Sequence, residues 1–277
     1  MQYKFNKKIK NGSEMLINCC EGIEEFLEML RCTEFEKNVY FPSLDHKYDN
    51  PFSLMGHFFK FTHAQYISKY IELLTGFIES ANNRNYLLSS MCGRGIIECT
   101  ATWRYFNNKS LNINRKYVEK HENREEDFLD KDNFIEIMDL INSHMRGSRF
   151  DWGKFFTSSK KDFINNMLND IKNGVENKDI KKSASITKYL KSWDEDFPEL
   201  RVIYDFFSDL IHPNFGSNLL LTGIDGNKIQ VGEKSNKAVG KNITKESIML
   251  LTPCIREASI QVTSSILLAS LGDKIDK

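Results

Sequence analysis

The sequence predicts an all-α fold, a multi-helix bundle carrying one small β-hairpin after a helix that ends in His-Pro. Two observations predict it. Apolar residues recur every three or four positions in nearly every segment, and only one short stretch, around residue 220, changes to extended runs about a turn. From Ser13 to about Glu36, Met15, Leu16, Cys19, Ile23, Phe26, Leu27 and Leu30 fall on one stripe, with Ser13 placed to cap the start after Gly12. Turn residues with Pro42 and Pro51 then make a loop. A second helix, rich in aromatic residues, runs from near Phe52 to Ser80 and breaks at Asn82-Asn83.

A third helix extends from about Arg84 to Phe106 and is crowded with small side chains: Ser89, Ser90, Cys92, Gly93, Gly95, Cys99, Thr100, Ala101 and Thr102. A glycine inside a helix costs about 1 kcal/mol relative to alanine. Gly93 and Gly95 therefore predict a neighbour packed close against a central helix. Arg94 and Glu98, four apart, share one face of it, as a pair partly withdrawn from solvent.

Residues 107–132 read as a polar excursion, a solvated helix or a connecting segment, with charges of both signs alternating along it. Core stripes return at Phe134–Ile141, Phe163–Ile171 and Ile186–Trp193, and the His-Pro helix follows Pro198. Leu219–Thr222 and Lys228–Val231 read as strands about a turn, so the hairpin is placed at 217–233. A last helix spans about Lys245 to Leu271, with Pro253 expected to kink its first turns. With no internal repeat or low-complexity linker, residues 1–277 read as a single helical domain.

Composition excludes several functions. Lys plus Arg and Asp plus Glu are both 38, so no global positive field holds a nucleic acid and any contact with RNA must be local. No run is apolar enough to cross a bilayer, which points to a cytoplasmic protein without a membrane partner. The six cysteines include no C-x-x-C pair, so zinc is not expected and the thiols read as reduced and buried, with Cys19-Cys20 the pair to test for reactivity. His57 and His63, six apart, do not face the same way on a helix and make a poor metal pair. There is no P-loop, nucleophile elbow, H-E-x-x-H or dinucleotide fingerprint, and neither a metal nor a cofactor is expected.

The chemistry concentrates at Tyr204-Asp205-Phe206-Phe207-Ser208-Asp209-Leu210-Ile211-His212-Pro213-Asn214. Ile203, Phe206, Phe207 and Leu210 form its apolar stripe; Arg201, Asp205, Ser208 and His212 line another face, with Asp209 beside it. An imidazole ordinarily titrates near pH ~6.5, which suits proton transfer. The same ring can instead hydrogen-bond the last carbonyls of a helix that proline ends. Arg94 and Glu98 pose a parallel choice, an ion pair locking two helices or a guanidinium for a phosphate. Trp103-Arg104-Tyr105 can stack a base or pack a helix end on the bundle.

Met91-Cys92-Gly93-Arg94-Gly95-Ile96-Ile97-Glu98 resembles the Arg-x-x-x-Glu of a central helix in HEPN-like helical proteins, and Tyr204–Asn214 resembles their Tyr-x-x-x-Ser-x-x-x-His-Pro signature. The resemblance touches a small part of the chain. It implies a helical bundle, frequent dimerisation and, in active members, metal-independent cleavage of RNA in toxin or antiphage defence systems. In those nucleases the arginine precedes the histidine by a few residues on one helix. Here Arg201 stands too far from His212, and Asp205, Phe206 and Phe207 occupy the closer positions. The reading therefore takes Arg94, from another helix, as the phosphate-binding arginine. His212 is the acid/base, Asp209 and Glu98 orient the two, and Ser208, Asn214 and Arg201 contact substrate. RNA and a second copy of the chain are the expected partners, with a protein encoded nearby as a further one. The rival is a non-catalytic helical module for interaction or oligomerisation.

Overall fold

The computed structural model describes residues 3–33, 51–122, 136, 139–140, 144, 185–220, 222–225, 228–230 and 237–275. Eight helices occur among them: α1 (Lys7–Lys10), α2 (Glu14–Cys32), α3 (Pro51–Asn82), α4 (Tyr86–Glu122), α5 (Ile186–Asp194), α6 (Leu200–Ile211), α7 (Phe215–Leu220) and α8 (Lys237–Ile275). The fold is predominantly helical. None of the described helices is long and apolar enough to cross a membrane. The core stripes expected at 134–141 and 163–171 lie largely or wholly outside the described residues.

Two compact units divide the chain. The first comprises Met1–Phe35, Gln65–Trp103 and Leu190–Val262. Its helices start and stop where local chemistry dictates: Asn6 Oδ1 accepts the Lys8 and Ile9 amides to cap α1, and Ser13 Oγ accepts the Leu16 amide to cap α2. The α2 stripe is buried as its spacing requires, through Leu16, Cys19, Cys20, Ile23, Phe26, Leu27 and Leu30. Opposing residues of α3, Ile67, Tyr70, Leu74, Phe77 and Ile78, are fully buried too. At roughly 1.5–3 kcal/mol for each large apolar side chain taken from water, these stripes outweigh any helix propensity. The Tyr70 phenol meets Thr100 Oγ at 2.7 Å, and Thr100 Oγ donates to Ile96 O, so Tyr70 is the donor in a relay that satisfies both buried hydroxyls.

The glycines of α4 mark close approaches, as expected. A Cβ on Gly93 would press into the Phe207 ring of α6, and one on Gly95 would lie 3.0 Å from Leu73 Cδ2 of α3. The α3–α4 turn carries Arg84 at φ 58°, the only non-glycine residue with positive φ among those described.

The second unit comprises Glu36–Ala64, Arg104–Tyr189 and Thr263–Lys277. Within it Phe58 and Phe106 each set a ring edge-on to His144, and Phe106 also packs on Tyr189. Burial pushes the His63 and His144 imidazoles down to about 4.

Several expectations need correction. The third helix, expected to end near Phe106, continues as α4 to Glu122 through the described part of the 107–132 excursion; residues 123–132 lie outside the described residues. The cause is a buried stripe partly made of small polar residues, Phe106, Asn107, Ser110, Ile113 and Asn114, which periodicity of apolar residues alone does not reveal. Trp103 is therefore mid-helix, 1% exposed and stacked on Tyr66 at 4.8 Å, where no base reaches it. The hairpin expected at 217–233 is not supported as drawn. Asn214 Oδ1 accepts the Ser217 amide and starts α7, which takes Ser217–Leu220, and among the described residues extended pairing joins Gly223–Asp225 to Lys228–Gln230. The last helix begins at Lys237 rather than Lys245, so Pro253 lies in its interior. Cys19 and Cys20, the pair singled out for a reactivity test, are both buried, and burial pushes the Cys20 thiol up to about 12, which disfavours its reactive thiolate.

Candidate active site

On α6, Tyr204, Ser208 and His212 are spaced i, i+4, i+8 and share one face, with Phe207 fully buried on the adjoining stripe. The helix ends at His212 through the backbone: its N–H donates to Ser208 O at 3.0 Å, and Pro213 follows. Its carbonyl accepts the Asn214 amide and the Ser217 hydroxyl. The ring is thus not needed as a cap and is exposed.

Arg94 and Glu98, one turn apart on α4, form an ion pair from Arg94 Nε to Glu98 Oε1 at 2.8 Å, with side chains 25% and 33% exposed. The same oxygen accepts the Tyr204 hydroxyl at 2.8 Å. The guanidinium carbon lies 5.3 Å from the centre of the Tyr204 ring. Held by carboxylate and ring, Arg94 directs Nη1 to His212 Nε2 at 3.4 Å, a contact across 118 residues of chain. A guanidinium only donates, so Nε2 is the acceptor in this contact, its lone pair directed at Arg94 and the ring proton on Nδ1.

The electrostatics keep these roles distinct. Burial works against the Arg94 charge, but the hydrogen bond and charge of Glu98 more than offset it and raise its pKa above the ordinary arginine value. Burial, then the hydrogen bond to Glu98, raises the Tyr204 phenol above its ordinary range, so it remains a protonated donor at neutral pH. Ser208 is buried and its hydroxyl has no hydrogen bond of full geometry; it acts on the phenol weakly, in the lowering direction.

The remaining expected site residues stand apart from this cluster. Arg201 makes an exposed ion pair with Asp205 at 3.8 Å, their side chains 78% and 62% exposed. The Asp209 carboxylate is exposed and makes no hydrogen bond to His212; the backbone carbonyl of Asp209 instead accepts Asn214 Nδ2 at 3.2 Å. Asn214 is engaged at both ends of its amide in joining α6 to α7. Tyr204 was missed as a site residue, although its four-residue spacing from Ser208 and eight-residue spacing from His212 is a legible signal. Among the described residues, no group of three or more His, Cys, Asp or Glu side chains is placed to hold a metal ion. The arrangement can take a proton at His212 and bind an anionic oxygen at Arg94. No family model matches the chain, and no curated protein or solved structure is significantly similar to it.

Proposed function

We propose that the protein is a HEPN-like endoribonuclease that cleaves RNA without a metal, of the kind that serves bacterial toxin or antiphage defence systems. The observation that carries this reading is the 3.4 Å approach of Arg94 Nη1 to His212 Nε2 at an exposed edge. A phosphodiester entering there draws the guanidinium onto a non-bridging oxygen, and His212 Nε2, released from Arg94, takes the proton of the neighbouring ribose 2′-hydroxyl. The 2′-oxygen bonds to phosphorus, the bond to the 5′-oxygen breaks, and that oxygen leaves with a proton from water. The products are a 2′,3′-cyclic phosphate and a 5′-hydroxyl. Glu98 and Tyr204 hold the guanidinium in place, and the resemblance adds a homodimer as the working form.

The test is His212→Ala, with purified protein incubated with total RNA in chelator. Cleavage should fall by about 10²–10⁴, the usual contribution of a general base. Stability should change by no more than about 0.5 kcal/mol, because every backbone bond at the helix end survives the substitution. Undiminished cleavage would reject the assignment. One observation favours the interaction module instead: Val202 and Phe215, on α6 and just beyond it, are 69% and 81% exposed. That reading requires wild-type protein inert toward RNA and self-association lost in Phe215→Ser.

A further inference from the structure

A cavity of about 170 Å³ lies in the first unit, bounded by α1, the α3–α4 turn and the start of α8. Lys8, Arg84, Lys241 and Lys245 line it, and among the described residues no carboxylate does. These four cations come from three separate parts of the chain. Lys10, also on α1, is neutralised by Glu24 at 2.9 Å, whereas Lys8 has no such partner among the described residues. Lys245 Nζ donates to the Asn11 carbonyl at 3.3 Å and, among the described residues, faces no carboxylate. Gathering like charges without a counter-charge is unfavourable unless an anion offsets it.

The walls are built before any ligand arrives. Asn6 N donates to Asn82 Oδ1 at 2.8 Å, Asn6 Nδ2 to Asn82 O at 3.2 Å, and Asn82 Nδ2 to Lys4 O at 2.9 Å. This clasp fixes the N-terminal segment on the end of α3. Arg84 supplies an independent observation: its φ of 58° is a conformation that glycine and asparagine adopt far more readily than arginine. Asn83 precedes it, yet the left-handed position falls on the arginine. Strain kept at a position whose side chain lines a cavity is a sign of function.

We infer that this cavity binds a phosphate or pyrophosphate group. Its volume is below the roughly 300 Å³ at which pockets accept whole drug-sized ligands, so a larger molecule would insert only its phosphate end. The guanidinium fork of Arg84 matches two phosphate oxygens at once, and the three ammonium groups supply point charges around them. The inference stands apart from the ribonuclease reading and uses none of its residues.

Titration calorimetry of the full chain at constant ionic strength tests it, with pyrophosphate, inorganic phosphate, adenosine 5′-monophosphate and adenosine as probes. Pyrophosphate should bind saturably. Lys241→Gln and Arg84→Gly should each weaken it by at least about tenfold. Arg84→Gly should keep or raise the Tm, because glycine adopts the left-handed backbone without strain, so its loss of affinity is not unfolding. Lys7→Gln, on α1 but outside the lining, should bind as wild type does. Binding of the monophosphate but not of adenosine supports the proposal with a nucleotide phosphate as the source, and pyrophosphate binding without it supports the free anion. Absence of saturable pyrophosphate binding, or wild-type affinity in both cavity variants, overturns the proposal.

Discussion

Gly93→Ala separates local helix preference from the packing that assembles the candidate site. Alanine in a helix interior is favoured over glycine by about 1 kcal/mol, so propensity alone predicts a more stable protein. The structure predicts the reverse. The new Cβ would lie 2.9 Å from Cδ1 and 3.0 Å from Cζ of Phe207, closer than carbon atoms pack, and Phe207 is fully buried. Overpacking of a closed core costs typically 1–3 kcal/mol, leaving a net loss of up to about 2 kcal/mol after the propensity gain. The strain is relieved by moving α6 away from α4, and that movement also separates His212 from Arg94, now 3.4 Å apart. A displacement of about 1 Å at a reacting geometry can cost on the order of a hundredfold in rate. Denaturant unfolding and single-turnover RNA cleavage read the two effects. Gly22→Ala in α2 is the internal control, since nothing lies within 4 Å of its added Cβ, and it should stabilise the protein by about 0.5–1 kcal/mol. A Gly93→Ala protein as stable as the Gly22→Ala protein, with unchanged cleavage, would refute the claim that this close approach sets the site.

Tyr204→Phe keeps the ring beneath Arg94 and removes the hydroxyl from Glu98; we expect a loss of about 1 kcal/mol in stability together with slower cleavage and a shifted Arg94 Nε–H resonance in the NMR spectrum. An unmoved resonance would show that the phenol does not position the guanidinium. For the second unit, His63 is 8% exposed and titrates at about 4 when folded against 6.5 ordinarily, because burial disfavours its charged form. The unfolded chain therefore binds the proton first: the contribution of His63 is intact above pH 6.5 and lost as pH falls toward about 4, by at most about 3 kcal/mol. His63→Gln should flatten the stability profile over that window, and an unchanged difference between pH 7 and pH 4 would contradict the assignment.

Much of the local architecture was legible because its causes lie within a few residues of one another. The α2 stripe, the Ser13 cap, the break after Asn82, the Arg94–Glu98 spacing and the stop at His212-Pro213 all follow from helical period and capping chemistry. The length of α4 was not legible, because Asn107, Ser110 and Asn114 look like surface residues and become interior ones only when a neighbouring element covers them. The α7 turn was mistaken for a strand for a related reason: Leu219 and Leu220 fit either conformation, and the Asn214 side chain decides between them. Trp103 likewise lost its apparent capacity to stack a base to burial that its immediate neighbours do not announce.

The sequence by itself determined a helical protein, the residue types available for proton transfer and anion binding, and the helices on which they stand. Tertiary structure decided which of them meet. Arg94 and His212 are separated by 118 positions, and no periodicity spans that distance; a missing side chain at Gly93 does, by letting the Phe207 ring of α6 settle against α4. Tyr204 then joins Glu98 because it faces the same way as His212, while Arg201 and Asp205 turn outward and pair with each other. Helical period sets which residues share a face, but close packing sets what that face is pressed against.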